Sequence, residues 1–203
     1  MRLYITRHGQ TKWNIERRLQ GWNDSPLTRI GVKRAQELSS RLKKVDFDIV
    51  YTSDQYRSIR TADIILGEKR VKRVKMNKLR EIGFGSWEGM TLDEIEEKYE
   101  EEFNTYLHQP ENYKPIDGES IVELFQRVTS ALEEIKKSGG ENILIVSHGV
   151  TIRALLCVIK GIGVEGFKET EVLPGTSLSI FDFKDNKFIS ICEGDTSHFN
   201  RSR

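Results

Sequence analysis

Leu3-Tyr4-Ile5-Thr6-Arg7-His8-Gly9 and, far downstream, Ile143-Leu144-Ile145-Val146-Ser147-His148-Gly149 decide how this chain is read. Each is a short apolar run of strand-forming residues that ends in a histidine and a glycine. In the first, Arg7 sets a cation beside the imidazole. A lone histidine where a strand meets a loop is ordinarily just a polar residue leaving the core. Two of them, each closing a strand of one domain, outline a pocket for a phosphate.

Working outward, further strands are expected at Phe47 to Thr52, Val71 to Met76, Ser177 to Phe183 and Phe188 to Glu193, all rich in β-branched or aromatic residues. Helical spacing joins most of them. Thr28 is expected to cap a helix to Leu42, and Ser53 one over Asp54 to Leu66. Ile121 to Ile135 follows the Asp117-Gly118-Glu119 turn, and Gly149 to Ile159 follows the second His-Gly. Met90 to Leu107 reads as one acidic amphipathic helix, with Asp93, Glu94, Glu96, Glu97, Glu100, Glu101 and Glu102 around Leu92, Ile95, Tyr99, Phe103 and Tyr106. A solvated outer face is its plainer reading; the alternative makes residues 83–118 an acidic helical lid. The alternation of strands and helices predicts an α/β fold, a three-layer α/β/α sandwich around a mostly parallel sheet. Lys184-Asp185-Asn186-Lys187 joins the last two strands as a hairpin and makes one edge antiparallel.

The 203 residues read as a single domain, 1–203, able to bury a full core. An apolar share of 37% and a mean hydropathy of -0.51 describe a chain with no membrane span. Two isolated cysteines, Cys157 and Cys192, form no disulfide framework, so the expected location is cytoplasmic. The net charge of +1 hides an asymmetry: residues 1–80 carry 20 Lys/Arg against 8 Asp/Glu, and the remainder carries 12 against 23. The two halves match each other electrostatically, and without interleaved exposed aromatics no nucleic-acid partner is expected.

In a parallel sheet the carboxyl ends of the strands face helix N-termini, so His8, Arg57, Glu81 and His148 can reach one crevice. Helix N-termini and the planar forks of Arg7 and Arg57 suit phosphate oxygens. Adjacent guanidinium groups keep an imidazole neutral, which a nucleophile requires; His8 would then attack phosphorus. Glu81, in Leu79-Arg80-Glu81-Ile82-Gly83, is the candidate proton donor to the leaving group. His148 would stabilise the equatorial oxygens, with Asn14 as a neutral donor. No HExxH, DxD, P-loop or GxSxG stretch occurs, so the reading assigns no metal and no cofactor.

Thr6-Arg7-His8-Gly9-Gln10-Thr11-Lys12-Trp13-Asn14 resembles the RHG signature of the histidine phosphatase superfamily, the phosphoglycerate mutase-like family. Leu27-Thr28 before Gly31, Ser53-Asp54 before Arg57, Leu79-Arg80-Glu81 before Gly85-Ser86-Trp87-Glu88-Gly89, Gly118-Glu119-Ser120 and Ser147-His148-Gly149 are similar in the same order. The resemblance implies a phosphorylated His8, phosphate binding by Arg7, Arg57 and His148, assistance from Asn14 and proton transfer by Glu81. It also implies that Gln20-Gly21-Trp22 reaches the phosphate through backbone N–H groups. Thr176, after Pro174-Gly175, either places a hydroxyl or N–H near the phosphate or starts a strand. Glu88 is a weaker rival to Glu81, and His198 either touches substrate or packs the tail.

The cofactor-dependent mutases of the family carry an arginine pair where Gly89 to Gly118 here offers only Lys98 and Lys114 among acids. Met90, Phe103, Tyr106, Leu107 and Tyr113 suit a bulky leaving group better than a second anion. Length and the Trp87-Glu88-Gly89 pattern resemble the small bacterial phosphatases: α-ribazole phosphatase, broad-specificity phosphatases and metal-independent phosphoserine phosphatase. The expected function is metal-independent hydrolysis of a small-molecule phosphomonoester, α-ribazole 5'-phosphate among the candidates. A cofactor-dependent phosphoglycerate mutase is the alternative, and a non-catalytic phosphate-binding scaffold the third reading. A homodimer stays open as the assembly.

Overall fold

The computed structural model describes residues 1–199. The chain runs β1 (Arg2–Arg7), α1 (Lys12–Ile15), α2 (Arg29–Arg41), β2 (Ile49–Thr52), α3 (Tyr56–Leu66), β3 (Lys72–Lys75), α4 (Leu92–Lys98), α5 (Glu100–His108), α6 (Ile121–Lys136), β4 (Asn142–Ser147), α7 (Gly149–Lys160), β5 (Leu178–Lys184) and β6 (Lys187–Asp195). Six strands form one sheet in the order β3-β2-β4-β1-β5-β6. The first four are parallel to their neighbours, while β5 runs antiparallel to β1 and β6 to β5. The expected α/β class and its antiparallel edge are both present.

Successive residues of a strand point to opposite faces, and here both faces are apolar. Leu3, Ile5, Tyr51, Ile143 and Ile145 pack with Leu124, Val128 and Leu155 of α6 and α7. Tyr4, Val50, Leu144 and Val146 pack with Leu38, Ala62 and Ile65 of α2 and α3. The chain thus leaves β1 for one face of the sheet and its neighbour β4 for the other. That divergence opens a crevice at the carboxyl ends of β1 and β4, the usual ligand position in an open α/β sheet.

Local chemistry accounts for the boundaries. The Thr28 side chain accepts the Gly31 N–H and starts α2, as its sequence position predicts. The β5–β6 turn places Asp185 and Asn186 at φ 51° and 62°, the pair of positive angles that a two-residue hairpin needs and that Asp and Asn tolerate.

Two expectations are corrected. Ser53 does not cap α3: the helix begins at Tyr56, the Ser53 hydroxyl accepts the Gln55 N–H, and the Asp24 carboxylate takes the Tyr56 N–H at 2.7 Å instead. The acidic helix is two helices, broken at Tyr99 (φ -134°, ψ 44°). The break puts Glu100, Glu101 and Glu102 in the first turn of α5, where a helix's positive end favours carboxylates. It also lets Tyr99, Phe103 and Tyr106 all close on the buried Trp87 ring, at centroid distances of 6.2, 6.0 and 5.9 Å. Among the described residues no helix is long and apolar enough to cross a membrane.

Candidate active site

His8 follows β1 directly and is held there because its N–H donates to the Ser147 carbonyl at the end of β4, 2.9 Å away. The side chain is 2% exposed. Its Nδ1 lies 2.8 Å from the Gly9 carbonyl, which can only accept, so the proton sits on Nδ1 and Nε2 keeps a free lone pair. Burial first, then the charges of Arg57 and Arg7, push this imidazole well below its ordinary 6.5. The ring is therefore neutral, as a nucleophile must be.

His148 follows β4 and sits at the N-cap of α7, fully buried, with its ring centroid 5.2 Å from that of His8. Arg57 Nε donates to its Nδ1 at 3.1 Å, so the proton is on Nε2, which meets Ser58 Oγ at 3.3 Å. Both nitrogens have protein partners, whereas the sequence reading pointed this ring at phosphate oxygens. Burial, then Arg57, then His8 hold it well below 6.5 as well.

These two depressed pKa values carry a stability consequence. An unfolded chain protonates both rings below about 6.5, but the folded chain does not, so stability falls as pH drops beneath that value. The expected slope reaches about 1.4 kcal/mol per pH unit for each histidine. Urea midpoints at pH 7 and pH 5.5 check it. His8→Gln should remove about half of the difference attributable to the two rings, and an unchanged difference would refute the assignment.

Arg57, on α3, is 0% exposed. Its Nη1 donates to the Asn23 carbonyl at 2.6 Å and to Asp24 Oδ1 at 2.9 Å, and its Nη2 to the Gly21 carbonyl at 2.9 Å. The loop from Gly21 to Asp24 therefore wraps the guanidinium. Arg7 is less engaged. Its Nη1 donates to the Leu173 carbonyl at 3.0 Å, while Nε is buried with no hydrogen-bond partner among the described residues. The Arg7 guanidinium also packs against Gly149, where a Cβ would come within 3.2 Å of Cζ. A cation with an unused donor beside the positive end of α7 is an arrangement completed by an anion.

Glu81 reaches the same helix end from the loop after β3. Its carboxylate accepts from the backbone N–H groups of Ile82 (3.1 Å), Val150 (3.3 Å) and Thr151 (3.0 Å), and from the Thr151 hydroxyl at 3.2 Å. The backbone of Glu81 is fixed on both sides. Gln55 Oε1 accepts its N–H at 2.9 Å, and Trp22 Nε1 donates to its carbonyl at 3.1 Å. Arg127, paired with Glu119 through two short bonds, donates to the carbonyls of Lys78 and Arg80 and holds that loop down.

The remaining sequence candidates separate into those near the site and those that serve its walls. Asn14 Oδ1 accepts from Thr11 N and Oγ1 in a capping box, which leaves the amide nitrogen as the donor. Gln20 is buried, and its Oε1 has no hydrogen-bond partner among the described residues. Gly21 needs its glycine: φ is +51°, and a Cβ would collide with the Glu88 carboxylate. Of the loop that the resemblance implied, the Trp22 N–H is already engaged, donating to Glu88 at 2.8 Å, and the next N–H, that of Asn23, donates to Glu88 at 3.2 Å. Glu88 also accepts from Phe84 N, so its carboxylate ties the 21–23 loop to the turn at Phe84. Thr176 has its N–H on the Arg7 carbonyl and its hydroxyl on the Gly175 carbonyl, at a φ of 59°; it supports Arg7 and offers neither donor to a ligand. His198 packs the tail, meeting the Thr176 carbonyl at 2.9 Å and Arg41 at 3.2 Å.

Asp24, Gln55, Ser58 and Arg127 were not singled out from sequence. Their partners lie far along the chain, so neither spacing nor periodicity announces them. Among the described residues no group of three or more His, Cys, Asp or Glu is placed to hold a metal ion.

The family profile described as Histidine phosphatase superfamily (branch 1) matches residues 3–195. Phosphoserine phosphatase 1 of Hydrogenobacter thermophilus is 33% identical over 168 residues, 82% of this chain and 80% of that protein. The solved structure of Bacillus stearothermophilus YhfR superposes with a TM-score of 0.92 at 39% identity, covering 97% of this chain and 98% of that one. Phosphoglycerate mutase from Bacillus anthracis str. Sterne superposes with a TM-score of 0.84 at 29% identity, covering 98% and 94%. The protein belongs to branch 1 of the histidine phosphatase superfamily, as a phosphatase of that superfamily.

Proposed function

We propose that the chain hydrolyses a small-molecule phosphomonoester without a metal, through a phosphohistidine on His8. The observation that carries this reading is the neutral His8 ring with a free Nε2, set between Arg57 and an incompletely bonded Arg7. Nε2 donates its lone pair to phosphorus, the bond to the leaving oxygen breaks, and that oxygen takes a proton from the Glu81 carboxyl. Water then attacks phosphorus as Glu81 takes its proton back; the N–P bond breaks, releasing inorganic phosphate and restoring neutral His8. Arg7, Arg57 and the N-terminus of α7 stabilise charge on the transferred oxygens, and Asn14 adds a neutral donor. Residues 83–118, with Phe84, Trp87, Tyr106 and Tyr113 clustered together, wall the leaving-group side in this reading.

Glu81→Gln tests the proton step. Alkyl phosphates leave as poor alkoxides and should slow by about 10²–10⁴-fold. p-Nitrophenyl phosphate, whose leaving group needs no proton, should lose far less in the phosphorylation step. Equal losses on both, measured by single-turnover kinetics, would remove Glu81 as the acid. A chelator-treated screen against α-ribazole phosphate, phosphoserine and 3-phosphoglycerate, beside a mutase assay with bisphosphoglycerate, separates hydrolysis from isomerisation. Efficient isomerisation without phosphate release would overturn the reading.

A further inference from the structure

Thr151, in the first turn of α7, is fully buried and meets the Glu81 carboxylate twice. Its N–H donates to Glu81 Oε1 at 3.0 Å, and its hydroxyl stands 3.2 Å from the same oxygen and 2.6 Å from the Arg80 carbonyl. A threonine hydroxyl carries one proton, so it serves one of these acceptors at a time. Which one depends on Glu81. An ionised carboxylate is the stronger acceptor and draws the O–H to Oε1, whereas a protonated carboxyl is the weaker and leaves it to the carbonyl.

The frame around this hydroxyl is fixed. The consecutive carbonyls from Lys78 to Glu81 each accept from a side chain: Lys78 from Arg127, Leu79 from Ser147, Arg80 from Arg127 and Thr151, and Glu81 from Trp22. The five N–H groups of Arg127 all have acceptors, two in the Glu119 carboxylate and three in the carbonyls of Lys78, Arg80 and Glu81. The Arg80 carbonyl therefore keeps a donor at 2.9 Å when the Thr151 hydroxyl turns away, and no buried acceptor is orphaned. The two carboxylate oxygens are unequally occupied. Oε1 accepts the N–H groups of Ile82 and Thr151 at 3.1 and 3.0 Å, while Oε2 has only the Val150 N–H at 3.3 Å among the described residues. Oε1 is the anchored oxygen, and Oε2 keeps a lone pair for a proton.

We propose that Thr151 is a positioning residue for proton transfer, its hydroxyl turning between the Arg80 carbonyl and Glu81 Oε1 as Oε2 gives up and regains the proton. When Oε2 protonates the leaving oxygen, the Thr151 O–H swings to Oε1 and stabilises the carboxylate just formed. When Oε2 takes a proton from the attacking water, the O–H swings back. Thr151 itself neither gains nor loses a proton, so the reaction balances as before. One rotating bond thus lets a rigidly held carboxyl serve as acid and then as base. This inference rests on the phosphatase reading, since it concerns the acid of that same site.

Thr151→Val removes the hydroxyl and keeps the branched shape, Thr151→Ala removes both, and Thr151→Ser keeps the hydroxyl. Single-turnover phosphorylation is measured with p-nitrophenyl phosphate and with whichever of phosphoserine, 3-phosphoglycerate and α-ribazole phosphate the parent protein turns over fastest. Thr151→Val and Thr151→Ala should slow the alkyl phosphate by about tenfold or more and p-nitrophenyl phosphate by less than about twofold, while Thr151→Ser stays within about threefold of the parent on both. Added to Glu81→Gln, Thr151→Val should cost the alkyl phosphate little more, because the charge that the hydroxyl answers no longer forms. A merely structural role would slow both substrates by the same factor. Equal slowing, no slowing, failure of serine to rescue, or independent losses in the double variant overturns the inference, while continued p-nitrophenyl phosphate turnover leaves the phosphatase reading standing. If the parent protein hydrolyses none of these phosphates, the phosphatase reading fails and takes the inference with it.

Discussion

The His8→Ala protein should lose turnover by about 10⁴-fold or more, the scale on which a covalent catalyst falls when its nucleophile is removed. Nothing nearby can replace it. His148 is the other imidazole in the crevice, but its Nδ1 accepts from Arg57 and its Nε2 meets Ser58, so it has no free lone pair to offer. The side chain removed leaves a small buried void rather than an unpaired charge, since the ring is neutral. Folding should therefore survive, and a melt separates lost chemistry from lost structure. The direct measurement is labelling with a radioactive phosphomonoester, quenched in alkaline detergent. The parent protein should retain label on His8 that survives base and is lost in acid, and the variant none. Equal turnover by the two proteins, or label elsewhere in the chain, would end the phosphohistidine account.

Arg57→Ala should damage stability and phosphate binding together. The guanidinium satisfies the carbonyls of Gly21 and Asn23, the Asp24 carboxylate and His148 Nδ1 from a fully buried position. Each buried acceptor left without a donor costs about 1–3 kcal/mol. Asp24 is about a third exposed and recovers water, which discounts its share, so the net loss should be about 3 kcal/mol. Urea denaturation reads that loss. Arg57→Lys restores the charge but not the fork that joins the 21–24 loop to His148. It should recover less than half of the stability and leave kcat/KM depressed by about 10²-fold, because the remaining Nη2 N–H is aimed by a fork that lysine does not reproduce. Competition by vanadate or inorganic phosphate measures the binding part; full recovery by lysine would show that the geometry of Arg57 is not what the site uses.

The two predictions differ in how far the sequence alone could have led to them. His8 stands out because its environment is local: the strand that carries Leu3, Tyr4 and Ile5 runs on to Arg7 and delivers the chain directly to His8. Arg57 could be named as a phosphate ligand by resemblance, but its anchors could not, because Asp24 and Asn23 lie more than thirty residues away along the chain. The same contrast divides the acidic segment. Its amphipathic spacing predicts helix, yet the break at Tyr99 depends on Trp87, a ring outside the segment.

The order of strands and helices, the apolar faces of both, the caps at Thr28, Thr91 and Ser120 and the two His-Gly endings are properties of nearby residues, so the chain's own sequence determines them. Which donors remain free is a different kind of property. The Trp22 N–H, Glu88, Thr176 and His198 read as phosphate or substrate ligands in one dimension and prove to be engaged with protein in three. Arg7, equally polar in sequence, keeps an unused donor. Periodicity follows from backbone geometry repeated every few residues, whereas a hydrogen-bond partner is set by the path of loops that the folded sheet brings together, and only the tertiary structure decides that.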